Sequence, residues 1–289
     1  MLATLISILW GGNLVSVKIG LDVMPPFWSA FWRMALGVVT VSLCGVARGV
    51  SLRMAPGERR YLIGLGMLFA VQIALMNSAM QLTSPGYGVV ILNSYAVFAN
   101  LIGHFSALEE RLNGIRIVGL VLALGGMLVL SVGQPGTLLA PNPLLGNALL
   151  VLSAVLLGFR QVYTRWLVQN VDPIRAVVWQ MAWSLPVFLV MAALTEPMLT
   201  GKLTWPPVAA IAYQGVVVAG VCFVGWAELL KKYSAGSVSM YAFLVPFAGV
   251  ALSAALFGEK VNAGLVTGIV LVTAGVAIVT RAGGSRRGG

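Results

Sequence analysis

Arg33 stands inside an apolar run that opens at Pro26. It lies about two helical turns from the expected outer end of its helix, roughly 10 Å at ~1.5 Å per residue. There a guanidinium is able to pair with a solute carboxylate. It also has bland roles open to it, snorkelling to the interface or bonding backbone carbonyls. His104 offers a proton relay and Glu228 a coupling carboxylate. Both stand near helix ends, where a hydrogen-bonded histidine is the commoner role. Lys231 and Lys232 follow Glu228 at i+3 and i+4, the spacing of an interfacial ion pair. The other acids, Asp22, Glu58, Glu109, Glu110, Asp172, Glu196 and Glu259, fall at span ends or in loops. With no carboxylate at mid-span, the pattern points to a facilitator or exchanger more than to a proton antiporter built on a deep acid.

Uncharged polar groups are more numerous at depth: Asn13, Gln72, Asn77, Asn93, Asn100, Gln161, Gln180 and Gln214. Each either bonds a neighbouring helix, worth about 0.6 kcal/mol on average, or faces a polar or zwitterionic solute. Trp10, Tyr95, Tyr163, Trp179, Trp183, Trp226 and Tyr241 lie at comparable depths, whereas Trp28 and Trp32 suit an interfacial belt. Deep aromatics beside amides can wall a site that packs an apolar group or stacks on a cation; packing alone is the commoner role. The candidate cavity residues are therefore Trp10, Asn13, Arg33, Asn77, Asn93, Tyr95, Tyr163, Trp179, Trp183 and Tyr241.

The elements that must position them are membrane helices. The chain has 289 residues, 59% hydrophobic and 9% charged, against about 25% charged in a soluble domain. Its apolar runs are near the ~20 residues that cross a hydrocarbon core. Breaks at Pro, Gly and charge clusters predict ten spans near 2–21, 27–47, 59–82, 86–108, 113–132, 143–168, 174–195, 206–231, 236–257 and 263–281. The first run lacks a basic n-region and a small-residue cleavage site, so it reads as a span and not as a cleaved signal peptide. The fold class expected is all-α integral membrane. Nucleic acid is not expected despite the net charge of +10, because basic residues gather at cytoplasmic span ends.

Orientation follows from that bias. Arg48, Arg53, Arg59, Arg60, Arg111, Arg116, Arg160, Arg165, Arg175, Lys231, Lys232, Arg281, Arg286 and Arg287 fall at expected inner ends, 14 of the 18 Lys and Arg residues. Lys18, Lys202 and Lys260 fall outside. Both termini are expected in the cytoplasm.

The chain also repeats itself. Offset by 149, Glu110 meets Glu259, Arg111 meets Lys260, Asn113 meets Asn262, Gly119 meets Gly268 and Gly126 meets Gly275. "LTSPGYGVV" resembles "KYSAGSVSM", with Ser84 against Ser234 and Gly86 against Gly236. "WGGNLVSVKIG" sets against "LGFRQVYTRWL", with Gly11 on Gly158, Val15 on Val162 and Lys18 on Arg165. Residues 1–132 form a first five-span repeat, 133–142 a linker, 143–281 a second repeat and 282–289 a disordered tail. Five is odd, so the second copy enters the membrane inverted, the geometry of alternating access.

These features carry a family resemblance: Trp10-Gly11 with Asn13 and Lys18, Pro25-Pro26 followed by Arg33, Ser234-Ala235-Gly236, Pro246, Glu259-Lys260, then Gly268 and Gly275. In that order the chain resembles the bacterial ten-helix EamA-type permeases of the drug/metabolite transporter superfamily. The resemblance implies a multi-pass protein of the bacterial inner membrane. It implies transport of small metabolites, often outward, through a central cavity between the repeats. Amino acids or related solutes are favoured, with multidrug or lipophilic-cation export as the alternative. A membrane sensor or scaffold is the reading from another class. Pro246-Phe247 in span 9 faces Val97-Phe98 in span 4, so a proline bend is expected in span 9 and not in span 4. Gly11, Gly12, Gly158 and Pro246 are expected hinges or close approaches. Gly119, Gly126, Gly268 and Gly275 are packing glycines, with a possible homodimer through spans 5 and 10. HExxH, GxSxG and Walker motifs are absent, and one histidine with two cysteines suggests neither metal, cofactor nor enzyme.

Overall fold

The computed structural model describes residues 2–105, 114–234, 238, 241 and 244–284, with backbone alone for 280–284. Glu109, Glu110, Arg111, Asn113, Ala235, Gly236, Arg286 and Arg287 lie outside them. The described residues form helices and loops, with one isolated bridge between Thr137 and Ala140.

The helices are α1 (Leu2–Gly11), α2 (Asn13–Gly20), α3 (Pro26–Ala47), α4 (Arg59–Leu82), α5 (Pro85–Asn93), α6 (Tyr95–Gly103) and α7 (Gly114–Gly133). They continue with α8 (Pro143–Leu167), α9 (Pro173–Thr195), α10 (Trp205–Ala212), a π-helical segment (Tyr213–Cys222), α11 (Phe223–Lys232), α12 (Leu244–Phe257) and α13 (Ala263–Gly284). Eight described helical stretches are long and apolar enough to cross a membrane, and Leu244–Phe257 and Ala263–Val279 are shorter apolar helices. The last helix runs to Gly284, three residues past the expected end of the second repeat at 281.

Span 1 breaks at Gly12, between α1 and α2. The break leaves backbone carbonyls without their usual partners, which is tolerated at membrane depth only where protein supplies new ones. The π segment does so at Leu9, whose carbonyl accepts the Tyr213 hydroxyl, and further along α2 Gln214 Nε2 donates to the Ser16 carbonyl at 2.9 Å. Gly11 packs on α12, where a Cβ would lie 2.5 Å from the Ala248 Cβ. Gly158 on α8 packs on α6, where a Cβ would lie 2.8 Å from the Ala99 nitrogen and the Phe98 Cβ.

Span 4 is also broken. It is interrupted at Ser94, between α5 and α6, without a proline. Ser94 donates its hydroxyl to the Ile91 carbonyl at 2.7 Å, a local bond that competes with the helical ladder and bends it. Pro246 is a buried residue of α12.

Helices α7 and α13 pack along their glycines. A Cβ on Gly275 would lie 2.5 Å from the Gly119 carbonyl oxygen, and one on Gly126 would lie 2.7 Å from the Leu271 Cβ. Gly268 faces Leu130. These small-residue faces are occupied within the chain.

Polar residues gather at the two ends of the stack. At one end Lys18 Nζ donates to the carbonyls of Met80, Thr83 and Leu139 at 2.7, 3.1 and 2.8 Å. Nearby, Gln134 Nε2 donates to Ser84 at 2.8 Å, and Asn147 Nδ2 donates to Gln134 Oε1 at 2.9 Å. Glu196 caps α3 by accepting from the Phe27 and Trp28 amides at 2.9 and 3.2 Å. At the opposite end Arg48 pairs with Glu228 at 2.7 Å and Arg175 with Glu58 at 2.9 Å. Glu228 thus meets Arg48, from another helix end, in place of the expected lysines on its own helix.

Hydrogen bonds to a charged group are worth about 1.5–3 kcal/mol. Lys18→Met is therefore expected to destabilise the protein by about 3 kcal/mol, read as a lowered melting temperature in detergent. An unchanged melt would show that the three carbonyls are satisfied without the ammonium.

Candidate functional site

The two interrupted helices meet a cavity at their breaks. Trp10 from α1 and Asn13 from α2 enter it from either side of Gly12, and Asn93 from α5 and Tyr95 from α6 from either side of Ser94. Arg33 on α3 and Gln72 on α4 complete one part of the polar lining. Arg160 and Gln161 on α8 face them, with apolar walls that include Met76, Leu157, Phe223 and Val245. The cavity has a volume of about 70 Å³. At ~10–15 Å³ per water centre, this holds roughly five waters or a small solute.

The side chains are held in place by their neighbours. Gln72 Nε2 donates to Ser153 Oγ at 2.9 Å, which turns its carbonyl oxygen away from that bond. Gln161 Oε1 accepts from Trp226 Nε1 at 3.0 Å. Trp10 packs against Trp226 with ring centroids 4.5 Å apart. The Arg160 guanidinium lies over the rings of Phe69 and Phe223, at 4.8 and 5.6 Å from their centroids. Such contacts are worth about 2 kcal/mol when desolvated, well short of a counter-charge.

Arg33 is 1% exposed and Arg160 7%. Among the described residues Arg33 Nε and Nη1, Arg160 Nη1, Asn93 Nδ2, Asn13 Oδ1 and Gln72 Oε1 have no hydrogen-bond partner. No acidic side chain is among the described residues of the lining.

A second cavity continues the first. It shares Trp10, Arg160, Gln161 and Phe223, then runs past Thr164 and Gln180 to Leu230. It therefore leads toward the end where Arg165 donates to the carbonyls of Leu230 and Lys231.

Of the ten candidate residues, the cavity brings together Trp10, Asn13, Arg33, Asn93 and Tyr95. Asn77 is buried beside α3 and donates to the Pro26 carbonyl at 2.9 Å. Tyr163 donates to the Tyr61 carbonyl at 3.0 Å, and Trp179 to the Leu52 carbonyl at 2.8 Å, both toward the Arg175 end. Trp183 packs over Gly66, and Tyr241 is exposed. None of these five is among the residues lining the central cavity.

Arg160 is the residue that charge counting misplaced. It was grouped with the inner-end basic residues, but it is buried in the central lining. One signal marked it: in the pairing of "WGGNLVSVKIG" with "LGFRQVYTRWL", Arg160 falls on Asn13.

The model of the EamA-like transporter family matches residues 1–132 and 144–281. The chain is 29% identical to a protein of Salmonella typhimurium named "Probable amino-acid metabolite efflux pump", covering 96% of this chain and 93% of that protein. Its Escherichia coli namesake is 28% identical, with the same coverage. An uncharacterized transporter of Bacillus subtilis, YoaV, is 22% identical over 94% of this chain and 92% of its own length. A solved crystal structure shares the fold with a TM-score of 0.74 at 20% identity, covering 99% of this chain and 98% of that one. Multi-pass membrane helices around a polar cavity, with the family model matched along both stretches, identify the chain as a member of the EamA-like transporter family, within the drug/metabolite transporter superfamily.

Proposed function

We propose that the chain is a secondary transporter that exports amino acids or related small metabolites by alternating access, without enzymatic activity or cofactor. The observation that carries this reading is the polar cavity at the breaks of spans 1 and 4, walled also by α8 from the C-terminal half. Interrupted helices whose backbone lines a cavity are a recurring way to build transporter sites. Two relatives are named as probable amino-acid metabolite efflux pumps, which favours amino acids among the family's solutes.

Ten spans in two inverted repeats, 1–132 and 143–281, account for a pair of contacts. Gly11 meets Ala248, and Gly158 meets Ala99. Ala99 and Ala248 are 149 residues apart, the offset that also relates Glu110 to Glu259. An inverted duplication predicts this exchange, with span 1 on span 9 and span 6 on span 4. Both termini lie in the cytoplasm of a bacterial cell in this reading. Moving Arg160 into the lining leaves 13 basic residues at the inner ends against three outside, so the bias persists. The second cavity then opens the site toward the cytoplasm, and the Lys18 end is closed. A homodimer would have to use the outward faces of α7 and α13, which carry exposed Val121, Val132 and Val266.

Flux into proteoliposomes tests the reading. Saturable counterflow of an amino acid supports it; saturation by lipophilic cations alone would favour multidrug export. No saturable flux of any amino acid, cation or nucleoside would leave a sensor or scaffold.

A further inference from the structure

Two guanidiniums share the central lining, and no carboxylate is among its described residues. An uncompensated charge within the membrane is costly, and the interior of this protein holds two of them in one place. Arg33 and Arg160 face the same cavity and repel one another. The rings of Phe69 and Phe223 beneath Arg160 ease its burial but add no negative charge.

The remaining polar atoms are not uniform. Asn13 Oδ1 and Gln72 Oε1 are unpartnered acceptors, and Asn93 Nδ2 is an unpartnered donor. Two buried carbonyl oxygens match a donor on the solute, since leaving them unpaired costs about 1–3 kcal/mol each in a dry site. Two cations match two anionic groups. A simple dicarboxylate satisfies the arginines and leaves the carbonyls unmet. A neutral amino acid satisfies the carbonyls and one arginine, leaving a bare charge.

We propose that the cavity is a binding site for an acidic amino acid or a close analogue: two carboxylates held by Arg33 and Arg160, and one ammonium held by the side-chain carbonyls of Asn13 and Gln72. This rests on the transporter reading and names its substrate class. Asn93 Nδ2 donates a further bond to one carboxylate. Trp10 and Phe223 close the apolar wall along the methylene chain. A lipophilic cation is repelled by the same pair of arginines.

Equilibrium binding to the purified full-length protein tests this, using L-glutamate, L-glutamine, glutarate and tetraphenylphosphonium as probes. Glutamate is expected to bind at least about tenfold more tightly than glutamine or glutarate, because each of these lacks one charge-assisted contact. Tetraphenylphosphonium is expected not to compete. Arg160→Gln is expected to weaken glutamate at least about tenfold and glutamine less, which erases the preference between them. If that variant fails to fold, the wild-type ligand series decides alone. Equal affinity for glutamate and glutamine, or tighter binding of the cation, overturns the proposal. Vesicle flux separates the two levels: saturable glutamine or leucine flux without recognition of glutamate overturns the substrate class and leaves transport standing. Tight glutamate binding without flux of any solute overturns transport and leaves the site standing.

Discussion

Glu259→Gln is expected to open the closed end of the cavity, raising the labelling rate of a cysteine placed at Val89 by about 100-fold. Glu259 accepts the hydroxyls of Ser84 and Ser253 and the Gly86 amide, the last at 2.9 Å. It sits at the first turn of α5, where a helix N-terminus favours negative charge by about 0.3–2 kcal/mol. The fit is close: a Cβ on Gly86 would lie 2.6 Å from Glu259 Oε2. Beside it, Tyr87 and Asn262 bond through their side chains at 2.9–3.1 Å. The carboxylate therefore ties the start of span 4 to the segment before span 10.

A glutamine keeps one acceptor oxygen and turns an NH₂ group on donors that need an acceptor. With charge-assisted bonds at about 1.5–3 kcal/mol each, a net loss near 3 kcal/mol shifts a two-state equilibrium by roughly 100-fold. The measurement is maleimide labelling of Val89→Cys, with Cys44 and Cys222 replaced, in the presence and absence of Glu259→Gln. Val89 lines the cavity. An unchanged rate would mean that this carboxylate holds a helix end and does not hold the cavity shut.

Gly275→Ala is expected to cost more stability than Gly268→Ala, although the second meets its neighbour at a shorter distance. A Cβ on Gly268 lies 2.2 Å from Leu130 Cγ, one on Gly275 2.5 Å from the Gly119 carbonyl oxygen and 2.6 Å from the Ala123 nitrogen. Leu130 is able to change rotamer; the backbone of α7 can move only by separating the two helices. Overpacking costs about 1–3 kcal/mol and sometimes more. Gly275→Ala is placed at about 3 kcal/mol and Gly268→Ala at about 1 kcal/mol. Thermal melts of the two variants in one detergent give the order directly. The reverse order would show that α7 and α13 slide apart easily.

Much of this was legible without coordinates. Two glycines in a lipid-length run give up packing surface, which marked Gly11 and Gly12 as points of close approach or bending; Gly11 packs on Ala248, and the helix breaks at Gly12. The same holds for the glycines of α7 and α13, whose spacing on two matched helices signals close approach. Trp10, Asn13, Arg33, Asn93 and Tyr95 were drawn from the cost of polar and aromatic groups at depth. Tyr163 and Trp179 met that criterion equally well, yet their polar tips bond the backbone of Tyr61 and Leu52 at the helix ends. Depth along a span is a one-dimensional quantity, and the face a side chain presents is not.

Composition, apolar run length and internal repetition by themselves determined that this is a polytopic membrane protein with matched glycine helices. Those properties follow from the bilayer's thickness and from the demand that every backbone group be satisfied in lipid. The tertiary structure alone decided that Arg160 faces Arg33. Arg160 lies seven residues before the end of α8 at Leu167, about 10 Å at ~1.5 Å per residue. Its sequence neighbours read as a basic helix end, whereas in the fold it is buried with the rings of Phe69 and Phe223 packed against its guanidinium. The break at Ser94 was decided in the same way. A serine bends a helix only where its surroundings accept the bend, and here its hydroxyl lies 3.3 Å from the Met127 sulfur of α7.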